Sequence, residues 1–487
     1  MKHKLFAIAL SAASILASHA ATDYTKGIIY VNEDWYGHHN STLNHLSPDD
    51  PDGNYWTYRI FQAENPGHEL GCTNQYGAIW HGRLYLIAKQ ERDPGADITG
   101  GRITVADATT LEMITQLTTI DPSGAQCDGR GFLGVNEQKG YVSTSNGVWV
   151  LDLKTLQITG RVEGSQNPNA GGDNDKPNDD PTGALYHGQC GMMVRAAGRV
   201  FVAHQQYGLL VVDPEGDKVV ETISLEIVQS KAAIGSIVKS KDGMLWVSVA
   251  KDATGMGTAL DCLVRVDPAT LATEVVNLPE GVYGPANSWY AWTPDSYVGS
   301  KVNNVLYWKG GKNRWFSGTK IFRFDCDSRE CSLLIDLEEE GANWNIYGCS
   351  MGIHPLTDEI YMALYHQFGE PTYITRRYNS AGEKIKDYEM IRNYWFPSLP
   401  LFPEAPETDD IVSGLSDPET AAASIEYAGG VLTVKGNAGE RLEIFNLSGV
   451  CAYSRTLTSP IEIISPDLPQ GLYIARTSGA RAKFAVR

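Results

Sequence analysis

The sequence predicts an all-β chain: a seven-bladed β-propeller followed by a small C-terminal β-sandwich. The first observation is a recurring unit, in which a small residue opens one strand, a glycine-led strand follows, and a third strand closes on an acidic residue. Cys72 leads to 80–87 and on to Asp107, Cys127 to 140–143 and Asp152, and Cys190 to 198–202 and Asp213. Ser236 leads to 242–247 and Asp267, and Cys349 to 360–364. The second observation is the period, roughly 40–60 residues of short strands with no helical pattern between them, which marks a propeller. The third is composition: 49 Gly and 23 Pro suit a chain that reverses direction often.

One blade per unit places blade starts near Cys72, Cys127, Cys190, Ser236, Asn287 and Cys349. The Asn287 unit is the most diverged, but it keeps Val305-Leu306-Tyr307-Trp308 and a later strand ending at Asp325. The segment 27–32, followed by 41–46, reads as a further blade without its inner strand. Residues 394–399 can supply that strand from the far end, which removes two open sheet edges and brings the count to seven. The expected propeller therefore spans 21–402. Residues 403–420, rich in Pro, Glu, Asp and Ser, read as a linker. Beyond them, 431–434, 441–445, 461–464 and 471–475 alternate as half-buried strands of a β-sandwich over 421–487.

Residues 1–20 read as a secretory signal: Lys2 and Lys4, an apolar run over 5–16, and Ser18-His19-Ala20 as cleavage site. That run is too short to span a bilayer and no later run is long enough, so no transmembrane segment is expected. The expected location is the cell surface or the extracellular space. A formal net charge of −18 argues against a nucleic-acid partner, because phosphate binding needs a basic surface.

Eight cysteines in an exported chain raise the question of disulfides. Cys326 and Cys331 flank a hairpin-sized gap and form the candidate pair. Cys72, Cys127, Cys190 and Cys349 open successive units at equivalent positions; they are read as small buried residues near the channel, with a metal-binding ring as the alternative. The loop 167–182 carries Asp173, Asp175 and Asp179, hard oxygen ligands that calcium would accept, although the spacing departs from an EF-hand and a solvated insertion is the competing reading.

Propeller ligands sit over one mouth of the channel. The loops leading into the inner strands, and those joining the two middle strands, concentrate this chain's aromatic and polar residues. The candidate ligand-binding residues are Trp35, Tyr36, His38, His204, Tyr207, Trp289, Tyr290, Trp292, Arg314, Trp315, Trp344, Tyr347, His366 and Trp395. Large rings with polar tips suit a bulky, partly polar ligand. No nucleophile elbow, zincin motif, P-loop or dinucleotide fingerprint is present, so no catalytic residue, resident metal or required cofactor is assigned and binding is expected instead of catalysis.

Two resemblances add to this reading. Ile444-Phe445-Asn446-Leu447-Ser448-Gly449, then Asp467-Leu468-Pro469-Gln470-Gly471-Leu472-Tyr473-Ile474 and a basic end, resemble the C-terminal sorting domain of type IX secretion cargo in Bacteroidota. That implies passage across the outer membrane. Tyr30-Val31-Asn32-Glu33, Tyr36-Gly37, Asn40-Ser41-Thr42-Leu43 and the strand-ending Val-Asp-Pro signatures are similar to YncE-like exported propellers of Bacteroidota. Some of these capture cobalamin and related corrinoids at the cell surface and pass them to a TonB-dependent outer-membrane transporter. Those members are lipoproteins, whereas this chain has no Cys at the signal cleavage site. The resemblance thus implies corrinoid capture for outer-membrane uptake. The alternatives are a metal-dependent lyase or hydrolase acting on glycans, with His187, His204 and His366 converging, or a glycan- or protein-binding adhesin.

Overall fold

A computed structural model describes residues 22–170, 186–253, 259–285, 289, 296–310, 317–367, 370–393 and 396–405, and in the C-terminal part 424–428, 430–435, 439–446, 448–459, 461–477 and 480–486. The chain divides into two compact units, 1–414 and 415–487. The expected signal segment, the loop holding Asp173, Asp175 and Asp179, and nearly all of 403–420 lie outside the described residues.

Four-stranded antiparallel sheets dominate the first unit. Cys72–Trp80, Arg83–Gln90, Ile103–Asp107 and Met113–Leu117 pair in sequence order, and the same order recurs from Gly129–Gly134 to Gln157–Arg161 and from Cys190–Ala196 to Lys218–Ile223. It recurs again from Ala233–Lys239 to Thr273–Asn277. The next sheet begins with the two-residue strand Val298–Gly299, then Val305–Gly310, Lys320–Asp325 and Cys331–Asp336. In the last, Asn345–Tyr347 and Gly352–Ile353 both pair with Ile360–Tyr365, which continues to Ile374–Tyr378 and Lys384–Glu389.

The first sheet is completed from the far end of the unit. Ile28–Asn32 pairs with Thr42–Leu46 on one side and with Pro397–Leu401 on the other, Ile29 opposite Leu401 and Val31 opposite Leu399. The closing strand therefore begins a few residues later than 394–399. Apolar clusters weld each sheet to the next, as Tyr85 and Val105 do with Phe132 and Val142, or Phe201 and Val211 with Val247 and Val264. Tyr361 and Tyr388 of the last sheet pack with Ile28, Tyr30 and Leu46 of the first. The succession returns to its start, which leaves no lateral edge in need of protection and is consistent with a propeller.

The repeated acidic residue has a local cause. At the end of the third strand in five sheets its carboxylate accepts from the amides two and three residues on, as Asp107 does from Thr109 and Thr110 (2.8 and 2.9 Å). Asp152, Asp213, Asp267 and Asp325 repeat the contact. The side chain thus substitutes for a missing backbone acceptor in a turn. These amide bonds hold the Asp152, Asp267 and Asp325 carboxyls below their ordinary value.

The second unit has a three-stranded sheet, Ser424–Ala428, Val431–Lys435 and Ile461–Ile464, and a four-stranded one in the order Cys451–Thr456, Arg441–Asn446, Gly471–Arg476, Arg481–Val486. Leu432 and Val434 from the first share one apolar cluster with Leu442, Ile444, Tyr473 and Phe484 from the second. Among the described residues no helix is long and apolar enough to cross a membrane.

All eight cysteines are free thiols, which corrects the expected Cys326–Cys331 crosslink. Cys326 lies buried in the cluster around Trp246, Trp308 and Phe324, and Cys331 packs against the same cluster, so both act as small apolar fillers.

Candidate functional site

The inner strands begin at one end of the unit, and the loops of that end bring the sequence candidates into several separate groups. Tyr347 joins Tyr365, Tyr373, Met390 and Phe396 in a buried aromatic cluster, with Trp35 at its margin; the Tyr347 and Phe396 rings lie 4.9 Å apart. Trp35 also holds His38 at 4.9 Å. Trp344 stacks on His366 at 3.7 Å, with the Arg376 guanidinium 5.7 Å from the Trp344 ring. His204 stacks on Tyr207 at 4.4 Å. Tyr36, His38, Tyr207 and His366 face solvent and Trp35 and Trp344 are half-buried, whereas His204, Trp289 and Tyr347 are buried. Tyr290, Trp292, Arg314, Trp315 and Trp395 lie outside the described residues.

Two of the buried residues are structural supports. Trp289 fills the cluster between the fourth and fifth sheets; its indole N–H donates to the Ile234 carbonyl at 3.3 Å, and its own carbonyl accepts from Gln189 at 2.7 Å. His204 Nδ1 accepts from the amides of Gln206 and Tyr207, both at 3.2 Å. Burial lowers the imidazole pKa to about 4, so the ring is neutral over the ordinary pH range.

A charged group that the sequence reading passed over lies among these supports. Glu33 accepts from Gln75 Nε2 at 2.7 Å and from the Tyr347 hydroxyl. Arg130 is buried and donates twice to Gln189 Oε1, at 2.9 and 2.7 Å, with Asp128 3.8 Å from its guanidinium. Asp128 also accepts from Arg102 at 3.0 Å. Lys89 interacts electrostatically with Glu33, Asp128 and Arg130. These residues come from the first three sheets, with Gln189 from the edge of the fourth and Tyr347 from the last, so the cluster spans the strand-opening end.

Removal from water dominates the electrostatics. Desolvation raises the Glu33 carboxyl, opposed by Lys89 and by the bonds from Tyr347 and Gln75. Desolvation lowers the Lys89 ammonium to about 8, despite the nearby Glu33 and Asp128 carboxylates, with Arg130 adding to the fall. Both side chains retain partial exposure, so solvent reaches them while protein surrounds them. Such an arrangement can offer a cation and an acceptor side by side to a ligand that brings its own polar groups. A polar cavity of about 630 Å3 adjoins it, lined by Tyr36, Arg92, Arg102 and Gln126.

The four strand-opening thiols each have a local partner. Cys72 donates to Asp93 at 3.4 Å, Cys127 to Thr144 at 3.2 Å, Cys190 to the Ser165 carbonyl at 3.4 Å and Cys349 to the Gln75 carbonyl at 3.6 Å. Burial pushes the Cys72, Cys127 and Cys190 thiols up, away from the thiolate that a metal requires. Among the described residues no three His, Cys, Asp or Glu side chains are placed to hold a metal ion. One signal would have found part of the charged cluster: Gln75, Asp128, Arg130 and Gln189 each stand within three residues of a strand-opening cysteine.

Residues 26–403 match the family described as Domain of unknown function (DUF5074), and the chain belongs to that family. Among solved structures, the extracellular domain of BT4673 from B. thetaiotaomicron aligns at 12% identity and a TM-score of 0.44, over 95% of this chain and 57% of that one. PorZ, a surface component of the type-IX secretion system of Porphyromonas gingivalis, aligns at 11% identity and a TM-score of 0.43, over 92% of this chain and 63% of that one. A chain of the mitotic checkpoint complex aligns at 12% identity and a TM-score of 0.40, over 63% of this chain and 76% of that one. The chain thus spans less than two thirds of the length of the first two. No curated protein matches it.

Proposed function

We propose that the chain is an exported, surface-displayed propeller of seven blades that binds a small, bulky ligand at the strand-opening end, without catalysis, and that the ligand is a corrinoid. The observation that supports binding is the charged cluster of Glu33, Lys89, Asp128 and Arg130. Ionisable groups withdrawn from water cost stability, and an apolar filling of the same space would be cheaper. Their retention is explained by a ligand that uses them. A corrinoid offers matching chemistry, with amide arms and a phosphate for Lys89 and the Gln side chains and a broad ring system for Trp35, Tyr36 and Trp344. The likeness to YncE-like propellers nominates this ligand, and a TonB-dependent transporter would be the recipient. Residues 1–20 would direct export, and 421–487, read as a sandwich, would serve as a type IX sorting domain.

The test is an absorbance and thermal-shift titration of the full chain with cobalamin, cobinamide and haem, beside a glycan panel. Retained corrinoid colour with a raised Tm, both lost in Lys89→Met, supports the reading. Corrinoid silence contradicts the ligand, and a response confined to glycans transfers the site to the adhesin alternative.

A further inference from the structure

At the opposite end of the same channel, where the inner strands finish, lies a second cavity of about 340 Å3. Its wall takes residues from the innermost strand of every sheet of the first unit, for example Ala78, Leu133, Val194, Ile237, Ile353 and Pro400. The volume falls within the range of small-molecule pockets. Its chemistry is opposite to that of the chain around it. Asp and Glu outnumber Lys and Arg by 58 to 40 in the sequence, yet the described residues lining this cavity include no carboxylate and three cations, Arg195, Lys239 and Lys301. The nearest carboxylate in sequence, Glu404, is engaged with His354 Nε2 at 2.6 Å.

The cations are fixed at the wall and rim. The Arg195 guanidinium lies 4.2 Å over the Trp80 ring and donates to the Gly134 carbonyl. Lys239 donates to the Arg195 carbonyl at 3.2 Å, and Lys301 stands exposed beside them. Met192 and Phe402 leave soft and aromatic surface in the interior, only partly covered. A chamber whose described lining is apolar residues and cations repels cations from its rim and gains little from neutral polar solutes.

We propose that this strand-closing cavity is a second ligand site, separate from the one at the strand-opening end, for a small amphipathic carboxylate whose aliphatic body fills the chamber and whose carboxylate meets Arg195, Lys239 and Lys301. The experiment uses the full chain, the fluorescent anion anilinonaphthalene sulfonate as reporter, and decanoate and decanol as competitors. Decanoate is expected to displace the reporter at about tenfold lower concentration than decanol. The Lys239→Gln/Lys301→Gln double variant should erase that preference, because neither change touches the core. Met192→Trp, which fills the chamber, should abolish the decanoate-sensitive signal, and Lys89→Met should leave it intact. The proposal is overturned if the wild type shows no decanoate-sensitive signal, or if the preference for decanoate survives in the double variant. The double variant carries the test even if Met192→Trp fails to fold.

Discussion

The two ends of one channel are built from the same inner strands and have opposite chemistry. Where the strands open, a bonded network lies beside a polar cavity of about 630 Å3: Glu33 to Gln75 and Tyr347, Arg130 to Gln189, Gln189 to the Trp289 carbonyl. Where they close, the wall is apolar and the described residues leave about 340 Å3 unfilled. The difference follows from sheet geometry. Successive residues of an inner strand lie at successive depths along the channel, so each inner strand can present polar groups at its first residues and apolar ones at its last without disturbing the sheet. A rigid repeat can therefore carry two unrelated recognition surfaces.

The comparison sharpens first at Arg130. Its guanidinium is fixed by Gln189, with Asp128 alongside, so Arg130→Met leaves buried acceptors without their donor. Denaturant unfolding should show a loss of about 3 kcal/mol, whereas Lys239→Gln at the strand-closing end should cost under about 0.5 kcal/mol. Of similar size is the demand for a small residue at the strand-opening end. A methyl group on Gly129 would lie 2.4 Å from Ile87 Cγ2 and 2.7 Å from the Ala88 carbonyl. Gly129→Ala should lower stability by about 2 kcal/mol, measured by the same unfolding curves.

Acid provides a third contrast. His204 is buried at the strand-opening end with its pKa lowered to about 4. The unfolded chain takes up the proton near pH 6.5, the folded chain only near 4, so stability falls as pH drops through that window, by up to about 3 kcal/mol. Thermal melts from pH 7 to 4 should show this loss, and His204→Gln should flatten it. A smaller effect is expected at an outer turn: Asp267→Ala removes the bonds to the Ala269 and Thr270 amides and should cost about 1 kcal/mol in the same melts.

Much of the fold was legible because it depends on local chemistry. Asp107, Asp152 and Asp213 mark turns whose amide bonds form within three residues, so the repeat could be read without knowing the tertiary contacts. Ring closure was legible for a similar reason, since Ile28–Asn32 lacked an inner neighbour and a strand near the far end could supply it. The shift to Pro397–Leu401 was not legible, because register is set by packing of Val31 and Leu399 against neighbouring strands. The site was read less well. Trp289, Tyr347 and His204 look like recognition residues in a loop, but burial is a tertiary property and all three are covered. Lys89 looks ordinary at the end of a β-strand; only the convergence of several sheets reveals it as a charge held away from water. The Cys326–Cys331 spacing suited a hairpin crosslink, yet the apolar cluster around Trp246 takes both thiols unbonded.

The central claim is that Lys89 at the strand-opening end is kept for a ligand and not for the fold, whereas Arg130 beside it also supports the fold. The Lys89 ammonium is held at about 8 by desolvation, so below that pH the folded chain bears a cost that Lys89→Met relieves. Measured side by side at pH 7, the variant should melt above the wild type and lose the cobalamin-induced shift. A Lys89→Met variant that melts lower and keeps that shift would show Lys89 to be structural and contradict the account.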